Sequence, residues 1–521
     1  MKFATEKLPV NFIILVLLST LLITIFVVLD FNTYPIHNAK DVVYVAGQCA
    51  LILVGSLSFV SVIALNRYVF ALIYPSLILL CSVLGFYAWT MNTTLTVMIL
   101  DATLHNDWET SSDLISVPLI LTIILSLALS IVLVFYRFKR IEKIKYSYII
   151  FCISLIFFIF FINTKSIERL IANHIPFNIY FVTKSYCNER SIISEDRPSL
   201  SANSFCNTDS LNVVFVIGES LRADHLPMNG YQRNTTPLLS TRNDIISLPN
   251  IYTPHTYTNK SLPDILTRAD SVSPQLAYKE RSFIDIFNAC GFETSWLANQ
   301  ESAYSYVYFM HECDTLLFSS INKSSYVFDK WLDESLIPHF KNRMGTKASK
   351  KLVILHTIGS HWWYNSHFTD QTAKFQPIIK SKIITSNTPE EMINSYDNTI
   401  VYTDYFLFNL IKEMEDTNTI MIYLSDHGES LGENDIWLHA SDSPPIHYPA
   451  SFVWMSAKYK EKYPDKYSGL IMNHRKNYSS DFLFHSILDA ATITSPYLKK
   501  DLSIFEKKEI MALDASYQKQ P

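Results

Sequence analysis

The chain changes character once along its length. Up to about Thr164 apolar residues form long runs; beyond about Leu211 short apolar runs alternate with polar segments and turn residues. Five of the early runs, at 10–29, 43–65, 69–89, 116–135 and 146–162, are long enough for helices that cross a hydrocarbon core of roughly 30 Å. The first has no small-residue cleavage site after it and reads as a retained helix. Lys2 and Lys7, the Asn66-Arg67 connection, and the cluster Arg137, Lys139, Arg140, Lys143 and Lys145 all fall on the N-terminal side of the membrane. The other connections are acidic or neutral, the longer one carrying Asp101, Asp107, Glu109 and Asp113. Basic loops stay inside, so after five crossings the C-terminal part is expected outside the cytoplasmic membrane.

The later runs are short and rich in β-branched residues. Residues 212–217, 294–297, 352–356, 420–424 and 451–454 read as strands, most of them apolar without a break, as in strands covered on both faces. Between them lie helical patterns. The clearest begins at Thr388-Pro389-Glu390-Glu391, a capping box with proline at the first helical position, and runs towards Met414. Strand and helix alternation predicts an α/β domain with a mostly parallel sheet and helices on both faces. The expected organisation is a five-helix transmembrane domain (1–164), an interfacial connector (165–210) and an α/β domain outside the membrane (211–521). In the connector, 166–175 and 177–180 mix apolar, aromatic and charged residues, which suits a membrane surface or a packed linker equally.

Composition adds exclusions. The mean hydropathy of +0.14 averages two unlike halves, and the net charge of −5 with no long basic run outside the membrane flanks argues against nucleic acid as a partner. Of seven cysteines, Cys49, Cys81 and Cys152 lie in apolar runs and read as small buried hydrophobes. Cys187, Cys206, Cys290 and Cys313 are an even set on the side expected to be oxidising, so pairs Cys187–Cys206 and Cys290–Cys313 are expected. No Cys-x-x-Cys spacing offers a thiolate metal site.

In sheets of this kind ligands sit beyond the carboxyl ends of the strands. Three such ends carry chemistry: Gly218-Glu219-Ser220, His356-Thr357-Ile358-Gly359-Ser360-His361, and Ser425-Asp426-His427-Gly428-Glu429. A carboxylate beside an imidazole, as in Asp426-His427, suits zinc or manganese, and Glu219 offers a further oxygen. Any one of these alone is more often a helix cap or a solvated charge; their recurrence at several strand ends points to a metal site. Metal-assisted group transfer also needs an alcohol nucleophile. By residue type Thr253, Thr256, Thr258 and Ser261 are equal candidates.

These segments resemble the phosphoethanolamine transferases of Gram-negative envelopes, a branch of the alkaline phosphatase superfamily. The likeness rests on Gly218-Glu219-Ser220 with Arg222-Ala223-Asp224-His225 and Gly230 to Pro237, on Leu355-His356 through His361, on Tyr396-Asp397-Asn398-Thr399 with Tyr402-Thr403-Asp404-Tyr405, and on Leu424 to Asn434 followed by Leu438-His439. It implies that Glu219, Asp426 and His427 bind zinc together with the oxygen of Thr258, the covalent nucleophile. It implies that His361 and His439 hold the substrate phosphate or a second zinc, with His356 nearby. The outer loop His105-Asn106-Asp107-Trp108-Glu109 resembles the donor-lipid loop, making Asn106 and Glu109 substrate-binding candidates; His105 stands where the family usually has Thr. The segments Tyr257-Thr258-Asn259-Lys260 and Asn299-Gln300-Glu301 also depart from the cysteine-bearing versions of lipid A-modifying members.

The resemblance therefore implies an inner-membrane enzyme with a periplasmic domain, monomeric, which moves phosphoethanolamine from phosphatidylethanolamine to lipopolysaccharide, lipid A or another envelope glycan. A phosphoglycerol transferase of the same superfamily is the runner-up, disfavoured by the His356–His361 spacing and Leu438-His439. Sulfatase chemistry needs Cys or Ser followed by x-Pro-x-Arg, and Ser261-Leu262-Pro263-Asp264-Ile265 lacks the arginine. A non-enzymatic envelope-assembly or sensor protein would be expected to have lost a ligand or the nucleophile, and all are present. His225, His255 and His447 read as packing residues.

Overall fold

The computed structural model describes residues 10–31, 34, 36–91, 94–105, 115–142, 147–193, 195–321, 323, 329–439 and 442–507. Two compact units emerge: residues 1–190 with 321–329 and 380–387, and residues 191–320 with 330–379 and 388–521.

The first unit is helical: α1 (Val10–Asp30), α2 (Ala39–Ala64), α3 (Arg67–Met91), α4 (Val97–His105), α5 (Val117–Arg140), α6 (Ser147–Asn163), α7 (Lys165–Ile171) and α8 (Phe177–Ile193), the last ending in the second unit. Four of these, α1, α2, α3 and α5, are long and apolar enough to cross a membrane; α6 bends by 78° into α7, and the count becomes five only if that pair is one span. Outward positions are apolar (Leu17, Leu21, Leu72, Leu121, Leu125), whereas Ser19, Ser56, Ser126 and Ser130 are buried between helices. That inversion of the soluble pattern suits lipid as the surrounding solvent, with small residues letting helices approach. Buried Arg137 closes one end of α2: its guanidinium donates to the carbonyls of Ala64 (2.7 Å), Leu65 (2.9 Å) and Ile141 (3.0 Å).

The second unit is built on a seven-stranded sheet of β1 (Leu211–Gly218), β2 (Ile245–Ser247), β3 (Glu293–Ala298), β4 (Thr315–Phe318), β5 (Lys350–His356), β6 (Thr419–Ser425) and β7 (Ser451–Met455), in the order β2-β7-β6-β1-β5-β3-β4. β7 runs against both its neighbours; β1, β3, β4, β5 and β6 are mutually parallel. Val213, Phe215 and Ile217 join one apolar core while Val214 and Val216, on the other face, are equally buried. A strand period of two with no polar alternation is what covering on both faces demands. Each of the five strands expected from the sequence is present, extended by one or two residues. β2 and β4, at the two edges, had no comparable signal.

Around the sheet lie α9 (Thr258–Leu266), α10 (Phe283–Ala289), α11 (Ile337–Met344), α12 (Pro389–Lys412) and α13 (Phe482–Ala490). α12 opens as its sequence dictates, with the Thr388 hydroxyl accepting from Glu391 N–H and the Glu391 carboxylate accepting from Thr388 N–H. The expected cysteine pairs are not formed: all seven thiols are free. Cys206 donates to the carbonyl of Ala491 (3.3 Å), and burial lifts the Cys290 thiol to about 11. Closeness along the chain did not become closeness in the core.

Candidate active site

β1 and β6 lie side by side, so their carboxyl ends deliver Glu219 and Asp426 to one place; Asp426 N–H donates to the Gly218 carbonyl at 3.1 Å. The end of β1 must be glycine, because a Cβ on Gly218 would meet the Tyr423 hydroxyl at 2.1 Å. β5 flanks β1 on its other side and turns at Gly359 (φ +48°), where a Cβ would approach the Glu219 backbone to 3.0 Å. That close approach lets Ser360 N–H donate to the Glu219 carbonyl at 3.0 Å and sets His361 on the same edge.

Glu219, Asp426 and His427 are buried together. Glu219 Oε2 accepts from the Thr258 hydroxyl (3.0 Å) and the Gln300 amide (2.7 Å), and Oε1 from the Ser220 hydroxyl (2.7 Å). Asp426 Oδ1 accepts from Ser220 N–H (3.2 Å) and His427 N–H (2.8 Å). His427 Nδ1–H donates to the Gly428 carbonyl at 2.7 Å, which fixes the tautomer and leaves Nε2 as the free lone pair. That Nε2 lies 3.5 Å from Glu219 Oε1 and 3.3 Å from Asp426 Oδ2. Neither Nε2 nor Asp426 Oδ2 has a hydrogen-bond partner.

The charge balance is equally incomplete. Burial opposes ionisation of Glu219, but the His427, His361 and His439 imidazoles and the Gln300 amide outweigh it and hold the carboxyl down at about 2. Burial and the neighbouring Glu219 push Asp426 well above the carboxylate range. Two carboxyl groups this close cannot both ionise without a cation. Burial also lowers His427 and His361, against the pull of the Glu219 carboxylate. Orphaned oxygen and nitrogen atoms, converging in a water-poor pocket with excess negative charge, fit a divalent metal ion. Ligand atoms of Glu219, His427 and His439 all lie within 4.8 Å of one another.

His439 follows a short ribbon, Ser430–Leu431 paired with Trp437–Leu438. Its ring centroid is 4.7 Å from that of His427 and 6.0 Å from that of His361. Burial works against its protonation, yet Glu429, whose Oε2 is 3.3 Å from Nδ1, with Glu219 and Asp426 behind, raises it to about 9. His439 is thus the cation of the pocket. His361 Nδ1–H donates to the Trp362 carbonyl. His356, by contrast, closes β5 beneath the turn, edge-on to Trp296 and Tyr306, and burial lowers it to about 4. Thr258 opens α9, its hydroxyl facing Glu219, whereas Thr253 is fully buried and the Ser261 hydroxyl turns back to the Tyr257 carbonyl.

The structure therefore brings together Glu219, Thr258, Asp426, His427, His361 and His439. Asn106 and Glu109 lie outside the described residues. Sequence reasoning named the segments that hold Gln300 and Glu429 but gave neither residue a role, and it passed over Asp333. Gln300 stands two residues past β3 and Glu429 four past β6, so the strand-end rule that found Asp426 reaches both. His225, His255 and His447 are each engaged elsewhere, with Asp397 (2.8 Å), Asp264 (2.6 Å) and the Thr253 carbonyl (2.7 Å).

Comparison with known proteins supports both units. The sulfatase family profile matches residues 211–493. Phosphoethanolamine transferase EptA of Escherichia coli (strain K12) is 30% identical over 302 residues, 54% of this chain and 54% of that protein. The match thus spans about half the length of such curated relatives. Among solved structures, the integral membrane protein lipooligosaccharide phosphoethanolamine transferase A (EptA) from Neisseria meningitidis superposes with a TM-score of 0.55 at 24% identity, over 95% of this chain and 98% of that one. The C-terminal periplasmic domain of EcEptC from Escherichia coli, in a complex with Zn, gives 0.54 at 24% identity, over 60% of this chain and 90% of that one. These two share the fold.

Proposed function

This chain belongs to the sulfatase family, and from that premise we propose that it transfers phosphoethanolamine from phosphatidylethanolamine to lipopolysaccharide, its lipid A part or another envelope glycan, through a covalent intermediate on Thr258. Family membership does not bring sulfatase chemistry with it, since Ile265 stands where that motif needs arginine. The observation that carries the reading is the Thr258 hydroxyl, 3.0 Å from Glu219 Oε2, at the rim of a buried cluster short of one cation. The similar protein from Escherichia coli is named a phosphoethanolamine transferase, which supplies the group transferred.

Glu219, Asp426, His427 and the Thr258 oxygen would hold the metal, zinc on this reading, with His361 and His439 beside them. When bound, such an ion acts as a Lewis acid for the nucleophile and the phosphoryl oxygens. The residues do the rest. Glu219 orients the Thr258 hydroxyl by accepting its hydrogen bond. The Thr258 oxygen forms a bond to phosphorus, its proton passing along the hydrogen bond to Glu219, as the bond to diacylglycerol breaks and His439 gives a proton to the departing oxygen. In the second half an acceptor oxygen bonds to phosphorus, any proton it carries passing to His439, and the Thr258 ester breaks, the threonine oxygen regaining its proton from Glu219. Donor and acceptor are both membrane lipids on this reading, which accounts for the apolar helices: five crossings with the second unit in the periplasm, acting as a monomer.

Intact-mass measurement of the purified chain and its Thr258→Ala variant tests the proposal. A mass increase matching phosphoethanolamine on the wild type alone is expected. An equal adduct on both would remove Thr258 as nucleophile, and a phosphoglycerol increment would select that transfer instead.

A further inference from the structure

One fully buried carboxylate near the site has no part in the chemistry above. Asp333 precedes α11 and is 3% exposed. Its Oδ1 accepts from the Asn299 amide (2.8 Å) and Ile358 N–H (2.9 Å), and its Oδ2 from Gly359 N–H (3.0 Å). None of these three partners is a cation. Burying a carboxylate on neutral donors is costly, and burial lifts Asp333 to about 6. A group so placed must stabilise something the fold would not hold alone.

What it holds is the turn after β5. Gly359 takes a left-handed conformation (φ +48°); its own N–H and that of Ile358 both point at Asp333, and two residues later the chain reaches His361. His361 N–H donates to the Ile358 carbonyl (3.1 Å), so the peptide clamped by Asp333 also anchors His361. On the other side the clamp passes to β3. Asn299 N–H donates to the His356 carbonyl (2.8 Å), and Asn299 Oδ1 accepts from Trp331 Nε1 (3.1 Å). The next residue, Gln300, reaches from the same turn to Glu219 Oε2 (2.7 Å) and the Thr357 carbonyl (3.0 Å). Successive residues of one extended segment thus bind Asp333 and Glu219.

We propose that Asp333 is a positioning residue: by clamping the 358–359 peptides to Asn299 it fixes His361 beside His439 and, through Gln300, the Glu219 carboxylate. The assignment rests on the proposed transfer for its kinetic consequence, though the clamp itself is independent of that reading. Three N–H donors converge on two oxygens, so a carboxylate satisfies all three. An asparagine would present one acceptor and turn an amide N–H towards the remaining donors.

The test uses the full chain in detergent, comparing Asp333→Asn, His361→Ala and the double variant. Hydrogen exchange read by mass spectrometry is expected to speed up in the peptide covering 357–361 in Asp333→Asn and to stay near wild type in His361→Ala. With the phosphatidylethanolamine donor, kcat is expected to fall on the order of tenfold to a hundredfold in Asp333→Asn, as misplacement of a reacting group by about 1 Å does, with KM little changed. The double variant should lose less than the product of the two single losses, because the part of the effect that runs through His361 is already gone. Unchanged exchange at 357–361, or losses that multiply in the double variant, would overturn the assignment. A wild type with no transfer activity would defeat the proposed function, while the exchange measurement would still decide the clamp. If Asp333→Asn does not fold, Asn299→Ala weakens the same clamp from its other end and should show the same changes, smaller.

Discussion

Two clusters in the second unit both set a buried carboxylate against an imidazole, and they have opposite chemistry. In one, Asp397 on α12 is met by His225 Nδ1 (2.8 Å), Arg233 Nη1 (2.7 Å) and the Tyr231 hydroxyl (2.9 Å). His225 stacks on Tyr231 with centroids 4.4 Å apart, and the Arg233 guanidinium lies 3.9 Å over Phe375. Each carboxylate oxygen has a partner and the charge is balanced by arginine. In the other, Glu219 and Asp426 face His427 with one oxygen and one nitrogen unpartnered. A buried ionic cluster that is closed holds loops in register; one that is left open needs an ion to complete it. A carboxylate beside an imidazole occurs in both, and the arginine and the count of partners separate them.

The largest effect should come from removing a charge from the open cluster. Asp426→Asn is expected to abolish stoichiometric zinc and to slow transfer by about a thousandfold or more, the scale of losing a main electrostatic stabiliser of the transition state. In the metal-free protein the same change removes one of two crowded carboxyl groups, so thermal unfolding should be unaffected or shifted upwards. The sign of the pH dependence follows. Asp426 holds its proton well above the ordinary range in the metal-free site, so zinc must displace that proton, and wild-type zinc affinity should rise with pH by up to about tenfold per unit while Asp426 is protonated. Titration with zinc at several pH values checks this. A flat profile, or full zinc content in Asp426→Asn, would mean that the open cluster is not the metal site.

Asp397→Asn, in the closed cluster, should do the reverse. It leaves Arg233 without its counter-charge and His225 without its carboxylate partner around a buried side chain, a class of change that costs about 3 kcal/mol or more. Denaturant unfolding should report that loss, with zinc content per folded molecule preserved. Equal stability would show that the closed cluster is not what holds the 225–233 segment to α12.

Much of this was legible in the sequence, and the remainder fails for identifiable reasons. Strands β1, β3, β5, β6 and β7 announce themselves because a strand covered on both faces must be apolar throughout. β2 and β4, half-buried at the sheet's edges, carry no such run. α12 begins where its capping box lies because that motif is local. Thr258 could not be told from Thr253, Thr256 or Ser261 by type; position at the first turn of α9 separates it, and position is a tertiary property. Asp333 had no signal at all, being one acid among many until the fold brings three N–H groups to it. The cysteine pairs failed for the same reason, since neighbours in sequence are not neighbours in the core.

The smallest effect sharpens the comparison most finely. Tyr231→Phe removes a single donor from Asp397 Oδ2 and leaves Arg233 on the same oxygen and His225 on the other. Because the carboxylate keeps a charged partner, the cost should be that of one hydrogen bond, about 1 kcal/mol, and the ring's stacking on His225 should survive in phenylalanine. Zinc content and the Thr258 adduct should be untouched, since none of the four side chains contributes to the open cluster. A loss nearer that of Asp397→Asn would mean that the phenol, and not the arginine, is what satisfies Asp397. An altered zinc content would mean that the two clusters are coupled through α12, and that the closed one is part of the site after all.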